Sequence, residues 1–402
     1  MPTNKESMYA ALKSVSAYRA LLKEDAGQRL TALFAALEQG AGEQAMDEYT
    51  ALFQAIVSAG CAGLGEWFLE HLHYDSTPFA EAAARGIENA PLTAAAEHDI
   101  SVFTAVCSLP CKQIKADIAA LLPESWRSAA ESLPEWENTV PFTFAELRSF
   151  YRVNGAGMFA RYRAFTWSRN RLLPVEQPDF VPEEELWGYR LQRDKVVANT
   201  RGLIEGRSVN NVLLFGDPGT GKSATVKALL GMQGFESLRL IEIRKTDLGD
   251  LGELIRMLGH RPQKFILFID DLAFDKEDMT YSVMKSALEG GLEPRPKNVA
   301  VYATSNRRNL VRQNFSDRNG DEIDANETIQ EKTSLAERFG LRIPYTQLNR
   351  NQFLTMVEEL AQLKGIHRDS DWLRAEAVKW EMRHSSRTPR TALQFLASLP
   401  AE

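Results

Sequence analysis

The stretch LLFGDPGTGKSATVKALL, Leu213 to Leu230, permits few structures. The apolar run NVLLFG favours a strand, KSATVKALLG has helical spacing and ends in a glycine, and the join between them is mostly glycine and proline. Gly216, Gly219, Gly221, Lys222 and Ser223 satisfy G-x-x-x-x-G-K-[ST]. Residues without side chains let successive backbone N–H groups curl around a ligand, and the helix that follows offers its positive end, so the ligand expected here is a polyphosphate. Gly216, Asp217, Pro218, Gly219, Thr220, Gly221, Lys222, Ser223 and Ala224 are the expected contacts, with Lys222 on the β- and γ-phosphates and the Ser223 hydroxyl on Mg²⁺.

Downstream segments supply the chemistry such a loop needs. KFILFIDDLAF is a continuous apolar run ending in two carboxylates, as expected of a strand buried on both faces whose end opens on the ligand crevice. Asp270 is expected to hold the Mg²⁺ shell through water, and Asp271 to orient and deprotonate the attacking water. NVAVYATSNRRNL repeats the design and ends in Thr304, Ser305 and Asn306, whose amide could hold that water. SLAERFGLRIPY places Arg338 at the end of a helix, before a glycine and a fifth strand, where a guanidinium could serve a neighbouring subunit's nucleotide. In SRTPRTALQFLASL, Thr388 reads as N-cap and Pro389 as the first helical residue, which puts Arg390 in the first turn, against the helix dipole. A cation there points to an anionic partner, the γ-phosphate. No N-K-x-D guanine motif follows the loop, which favours ATP over GTP.

The chain divides into four parts: residues 1–150, 151–182, 183–348 and 349–402. At 402 residues and 44% hydrophobic content it is long enough for more than one core. Residues 1–150 read as successive helices, with Met46, Tyr49, Leu52, Phe53, Ile56 and Val57 on one face and TFAE at Thr143 to Glu146 in capping-box spacing. His71 and His73 there read as ordinary helix residues. Between Tyr151 and Val175, five arginines interleave with Phe159, Tyr162, Phe165 and Trp167 and no acidic residue. That composition suits either a packed strut or single-stranded nucleic acid. Pro174, Pro178 and Pro182 mark a linker. The last part reads as a helical lid, with Asn349 and Gln352 at capping-box spacing, Leu348 and Phe353 as a hydrophobic staple and Gly365 as a stop.

A net charge of −7 gives no global basic field. Cys61, Cys107 and Cys111 sit among apolar residues and read as buried reduced thiols. With no apolar leader core and no segment of membrane-span length, the expected compartment is the cytoplasm. The acidic run NFSDRNGDEIDANETIQEK lacks the register of a calcium loop and reads as a solvated insertion.

The order of Gly216–Ser223, Phe265–Asp271, Asn306, Arg338 and Arg390 resembles the Walker A, Walker B, sensor 1, arginine finger and sensor 2 of AAA+ ATPases. GYRLQRDKVVANT, DDLAFD, LEGGLEPRPKNVAVYATSNRRNL and SLAERFGL resemble, more narrowly, a bacterial AAA+ family catalogued as a domain of unknown function. The resemblance runs from about Tyr151 to the C-terminus. It implies a five-stranded parallel sheet between helices, an α-helical lid, ATP and Mg²⁺ between them, and a homo-oligomer with shared sites. It also implies that Gly188 and Tyr189 lie by the adenine.

Two departures bear on function. Walker B in most AAA+ proteins ends Asp-Glu, and here it ends Asp270-Asp271, which implies slower turnover. The stretch RKTDLGDLGELIRMLG carries no aromatic residue where threading unfoldases carry one. The expected activity is ATP hydrolysis driving conformational change of a macromolecular client, protein or nucleic acid. The alternative is an ATP-dependent assembly switch or scaffold with little turnover.

Overall fold

The computed structural model describes residues 7–274, 280–289, 295–307, 310 and 335–400. The chain separates into two compact units, Met1–Arg161 and Tyr162–Glu402. The acidic run expected as an insertion lies outside the described residues.

The first unit is helical throughout, from Met8–Ser14 to Met158–Arg161. In the helix Gly42–Ser58 the apolar spacing buries Tyr49, Leu52 and Ile56, whereas Val57, assigned by spacing to the same face, is 54% exposed. Thr143 caps the helix Phe144–Asn154 by accepting from the Glu146 N–H. Asp99 is a fully buried carboxylate at the unit's centre. It accepts from the backbone N–H groups of Ser16 (3.0 and 3.1 Å) and Tyr18 (2.9 Å), so it terminates a chain segment that would otherwise bury bare donors. His71 shares its Nδ1 with the Trp67 carbonyl at 2.9 Å, and His73 stacks on Phe150. No group of three or more His, Cys, Asp or Glu side chains suited to a metal occurs among the described residues. Cys107 and Cys111 are buried and Cys61 is half-buried, all as free thiols.

The second unit is built on one sheet of seven strands: β1 (Ala164–Ser168), β2 (Arg171–Pro174), β3 (Val212–Gly216), β4 (Leu238–Ile243), β5 (Lys264–Ile269), β6 (Val299–Ser305) and β7 (Leu341–Tyr345). Their order is β2-β1-β4-β5-β6-β3-β7. β3 to β7 form the expected five-stranded parallel array, and every residue of β6 is buried, as continuous apolar runs require of a sheet covered on both faces. The other two strands come from the arginine-aromatic segment. Arg169 and Asn170, both left-handed, turn the chain between them in a two-residue hairpin, and β1 then pairs parallel with β4. Phe165 and Trp167 are buried, Trp167 Nε1 donates to Asp250 at 2.9 Å, and Arg163 donates to the Phe235 carbonyl at 2.7 Å. These rings and this guanidinium are committed to extending the sheet rather than to a stacking platform.

After β7 come three helices: Arg350–Leu363, Ser370–His384 and Pro389–Ala397. Asn349 and Gln352 form the reciprocal capping box at the first, Leu348 and Phe353 are buried beside it, and Thr388 caps the third with Pro389 at its start. Among the described residues no helix is long and apolar enough to cross a membrane.

The buried Asp99 gives a stability prediction. Asp99→Ala should destabilise the first unit by on the order of 3 kcal/mol, because the buried Tyr18 N–H and the part-buried Ser16 N–H lose a charged acceptor. Asp99→Asn, which keeps one acceptor oxygen, should recover part of that. Urea unfolding of the three proteins checks the order wild type, Asn, Ala.

Candidate active site at the carboxyl ends of the parallel strands

β3, β5 and β6 end side by side, and the expected site residues follow them directly. The loop after β3 needs its glycines. Gly216 has φ of 135°, and a Cβ there would stand 2.2 Å from the Tyr345 carbonyl oxygen, so only glycine lets β3 leave the sheet against β7. Gly219 and Gly221 are left-handed, at 77° and 89°.

Lys222 begins the helix Lys222–Ala228 and turns back under the loop. Its ammonium donates to the carbonyls of Gly216 (3.0 Å) and Asp217 (2.7 Å) and to Asn306 Oδ1 (2.9 Å). Burial lowers its pKa, while Asp217, Asp271 and Asp270 act in the opposite sense. The other end of the Asn306 amide, Nδ2, donates to Asp271 Oδ1 at 2.8 Å. Lys222, the Asn306 amide and Asp271 are thus joined in one hydrogen-bonded line.

A second line holds the first carboxylate. Asp270 Oδ1 accepts from the Ser223 hydroxyl at 2.6 Å and from the Thr304 hydroxyl at 2.5 Å. The Thr304 oxygen in turn accepts from the Asp271 N–H at 2.9 Å. Asp271 is left-handed, with φ of 49°, a conformation that costs a non-glycine residue about 1 kcal/mol or more. Thr304 is the group that spacing alone left without a role, and a hydroxyl at the penultimate residue of an otherwise apolar strand was its only signal.

Arg390 approaches the loop from the C-terminal helices. Its N–H donates to the Gly219 carbonyl at 3.3 Å, and a Cβ on Gly219 would lie 3.2 Å from Arg390 Cβ. Gly188 and the left-handed Tyr189 line a cleft of about 370 Å³ with Leu348, Asn351, Thr355, Met356 and Glu359. The Tyr189 ring stacks on Tyr345 at 5.0 Å, and its hydroxyl donates to the Thr346 carbonyl at 2.7 Å.

The backbone of Arg338 lies at the other end of β3. Its carbonyl accepts from Asn211 Nδ2 at 3.5 Å, beside the beginning of β3, whereas Lys222 lies beyond that strand's end. A strand of five residues puts roughly 16 Å between them.

The chain matches, over residues 160–402, the family model described as "Protein of unknown function (DUF815)". It belongs to that family. The family region thus takes in β1 and β2 as well as the phosphate loop and the C-terminal helices. The fold of this DUF815 member is a mostly parallel α/β sheet in which β3, the strand that leads into the loop, lies between β6 and β7. Solved structures similar to it include the RuvB Holliday junction branch migration motor of Thermotoga maritima, 13% identical over 55% of this chain and 72% of that one, with a TM-score of 0.35. Another is a chain of the HORMA:CdnC:Trip13 complex of E. coli MS115-1, 13% identical over 56% of this chain and 94% of that one, with a TM-score of 0.37. No curated protein matches the sequence.

The crowding at Gly216 generates the prediction for this site. Gly216→Ala should destabilise the nucleotide-free DUF815 protein by on the order of 2 kcal/mol and so lower its melting temperature, because the loop must part from β7 to admit a methyl group. Scanning calorimetry of the two proteins checks it.

Proposed function

We propose that this protein binds ATP with Mg²⁺ and hydrolyses its β-γ phosphoanhydride, using the cycle to change the conformation of a macromolecular client. The observation that carries the reading is the line from Lys222 through Asn306 to Asp271, lying beside the pair Ser223 and Asp270. A cation, an amide and a carboxylate lie within hydrogen-bond reach of one another, the kinds of group that hydrolysis of a phosphoanhydride by an oriented water would use.

The residues present fit the ligands. The turns at Gly219 and Gly221 leave the loop free of side chains where phosphates would lie. Ser223 and Asp270 offer the hard oxygen donors that Mg²⁺ prefers. Mg²⁺ would neutralise charge on the β- and γ-phosphates, and Lys222 would add a cation on the same oxygens. Gly188 and Tyr189 would border the adenine, with Leu348 and Met356 as apolar walls of the same cleft. Asp271 would take a proton from water, held by Asn306. Arg390, in contact with the loop, would meet the γ-phosphate. The Arg338 backbone lies beside the start of β3, at the opposite end from the loop, which would suit a head-to-tail homo-oligomer in which its side chain completes the next subunit's site.

Two experiments test this reading. Lys222→Ala should abolish ATP binding, whereas Asp271→Asn should keep binding and stop hydrolysis; wild-type turnover by Asp271→Asn would remove the base assignment. Arg338→Ala should bind ATP nearly normally yet lose roughly a thousandfold in turnover. Mixed with Lys222→Ala, it should regain phosphate release, because some interfaces then join an intact loop to an intact finger. No recovery in a mixture shown by mass to have exchanged subunits would confine Arg338 to its own chain.

A further inference from the structure

Asp217 is an acidic residue inside a loop read as a phosphate cradle, where its charge opposes the ligand. Its backbone is already used: the N–H donates to the Tyr345 carbonyl at 2.9 Å, and the carbonyl accepts from Lys222 and from Thr220 Oγ1. Its carboxylate turns away onto the connection between β7 and the C-terminal helices, where Oδ2 accepts from the Gln347 N–H at 2.8 Å.

The contacts continue from there. Gln347 Oε1 accepts from the Arg387 N–H at 3.3 Å, and the Arg387 carbonyl accepts from the Leu348 N–H at 3.1 Å. The Arg387 guanidinium lies 3.7 Å from Glu381, whose side chain is only 9% exposed. Glu381 also accepts from Arg350 Nε at 3.2 Å, in the first turn of the helix Arg350–Leu363. Arg387 is three residues before Arg390. One hydrogen-bonded route therefore runs from the loop after β3 through Gln347 to Arg387, which the buried Glu381 ties to Arg350 and which stands in the segment that leads into the helix bearing Arg390.

We propose that Asp217 is a positioning residue that latches the loop to the C-terminal helices through Gln347 and Arg387, so that loading the loop sets the position of Arg390. A carboxylate is suited to this because a charged acceptor holds a backbone N–H more strongly than a neutral one. Any shift of the loop at Asp217 is then carried to Gln347 rather than dissipated. The nucleotide arm of the proposal rests on the ATP reading above; the latch itself does not.

Amide hydrogen exchange on the whole chain tests both arms. Without nucleotide, Asp217→Ala should speed exchange at Gln347 by roughly tenfold or more, and Asp217→Asn, which keeps an acceptor oxygen, should restore much of the protection. Gln347→Ala, at an exposed position, should speed exchange at Arg387 while leaving the Kd for a fluorescent ATP analogue within about threefold of wild type. With ATP and Mg²⁺, wild type should gain protection across residues 387–391, and Gln347→Ala should lose most of that gain. Unchanged exchange at Gln347 in Asp217→Ala would overturn the latch. Full ATP-induced protection in Gln347→Ala would overturn its coupling to Arg390. A wild type that binds no ATP would remove the nucleotide reading, and the ATP-free measurements would still decide the latch.

Discussion

A lysine ammonium taken out of water is the constraint on which the second unit depends. Lys222 is buried, and a buried cation persists only when oxygen acceptors replace its hydration. Those acceptors come from three places: the end of β3, the loop beyond it, and the residue after β6. They converge only if β3 and β6 are parallel neighbours that end at the same level, and the pairing of Phe215 with Ser305 sets that level. A slip of one residue would turn every buried side chain of β6 to the opposite face and carry Asn306 away from the ammonium. Sheet order, register and site are one requirement met three times.

The parts of this arrangement legible in the sequence were those that a local physical demand imposes. β3, β5 and β6 read as strands because a sheet covered on both faces makes them nearly continuous apolar runs. The loop read as a phosphate cradle because backbone approach excludes side chains, and the ends of the last helices read from caps that satisfy their own backbone donors. The hairpin of β1 and β2 was not legible. Its partner β4 lies some seventy residues on, its turn is Arg169-Asn170 rather than a glycine pair, and its arginines suggested a ligand instead of a sheet edge. Val57 shows the limit of spacing in the first unit: a position beside two buried neighbours on a helical wheel still fell outside the contact.

The site was legible as a set of residues and not as a set of connections. Asp270, Asp271, Asn306 and Lys222 could each be assigned by kind and order, but the amide that joins Lys222 to Asp271 and the Thr304 hydroxyl that joins Asp270 to the Asp271 backbone follow from strand register. Asp217 filled an unconstrained position of the loop pattern. Only the structure shows that its carboxylate is directed to Gln347, away from the loop's interior. Arg338 is the opposite case, since its local setting was readable and its distance from Lys222 was not.

The second carboxylate of the pair shows how backbone geometry bears on chemistry. Asp271 is one methylene shorter than the glutamate usual at this position, so its reach is set mainly by where its backbone lies. The left-handed turn at 49° redirects the chain immediately after β5, and the Thr304 hydroxyl holds the turn by accepting the Asp271 N–H. Reversal at that point brings Asp271 Oδ1 within 2.8 Å of Asn306 without a longer side chain. The conformation is unfavourable for aspartate in isolation, and the hydrogen bonds from Thr304 and Asn306 are of the size needed to offset it. The turn and its two hydrogen bonds therefore fix where this short side chain delivers its carboxylate.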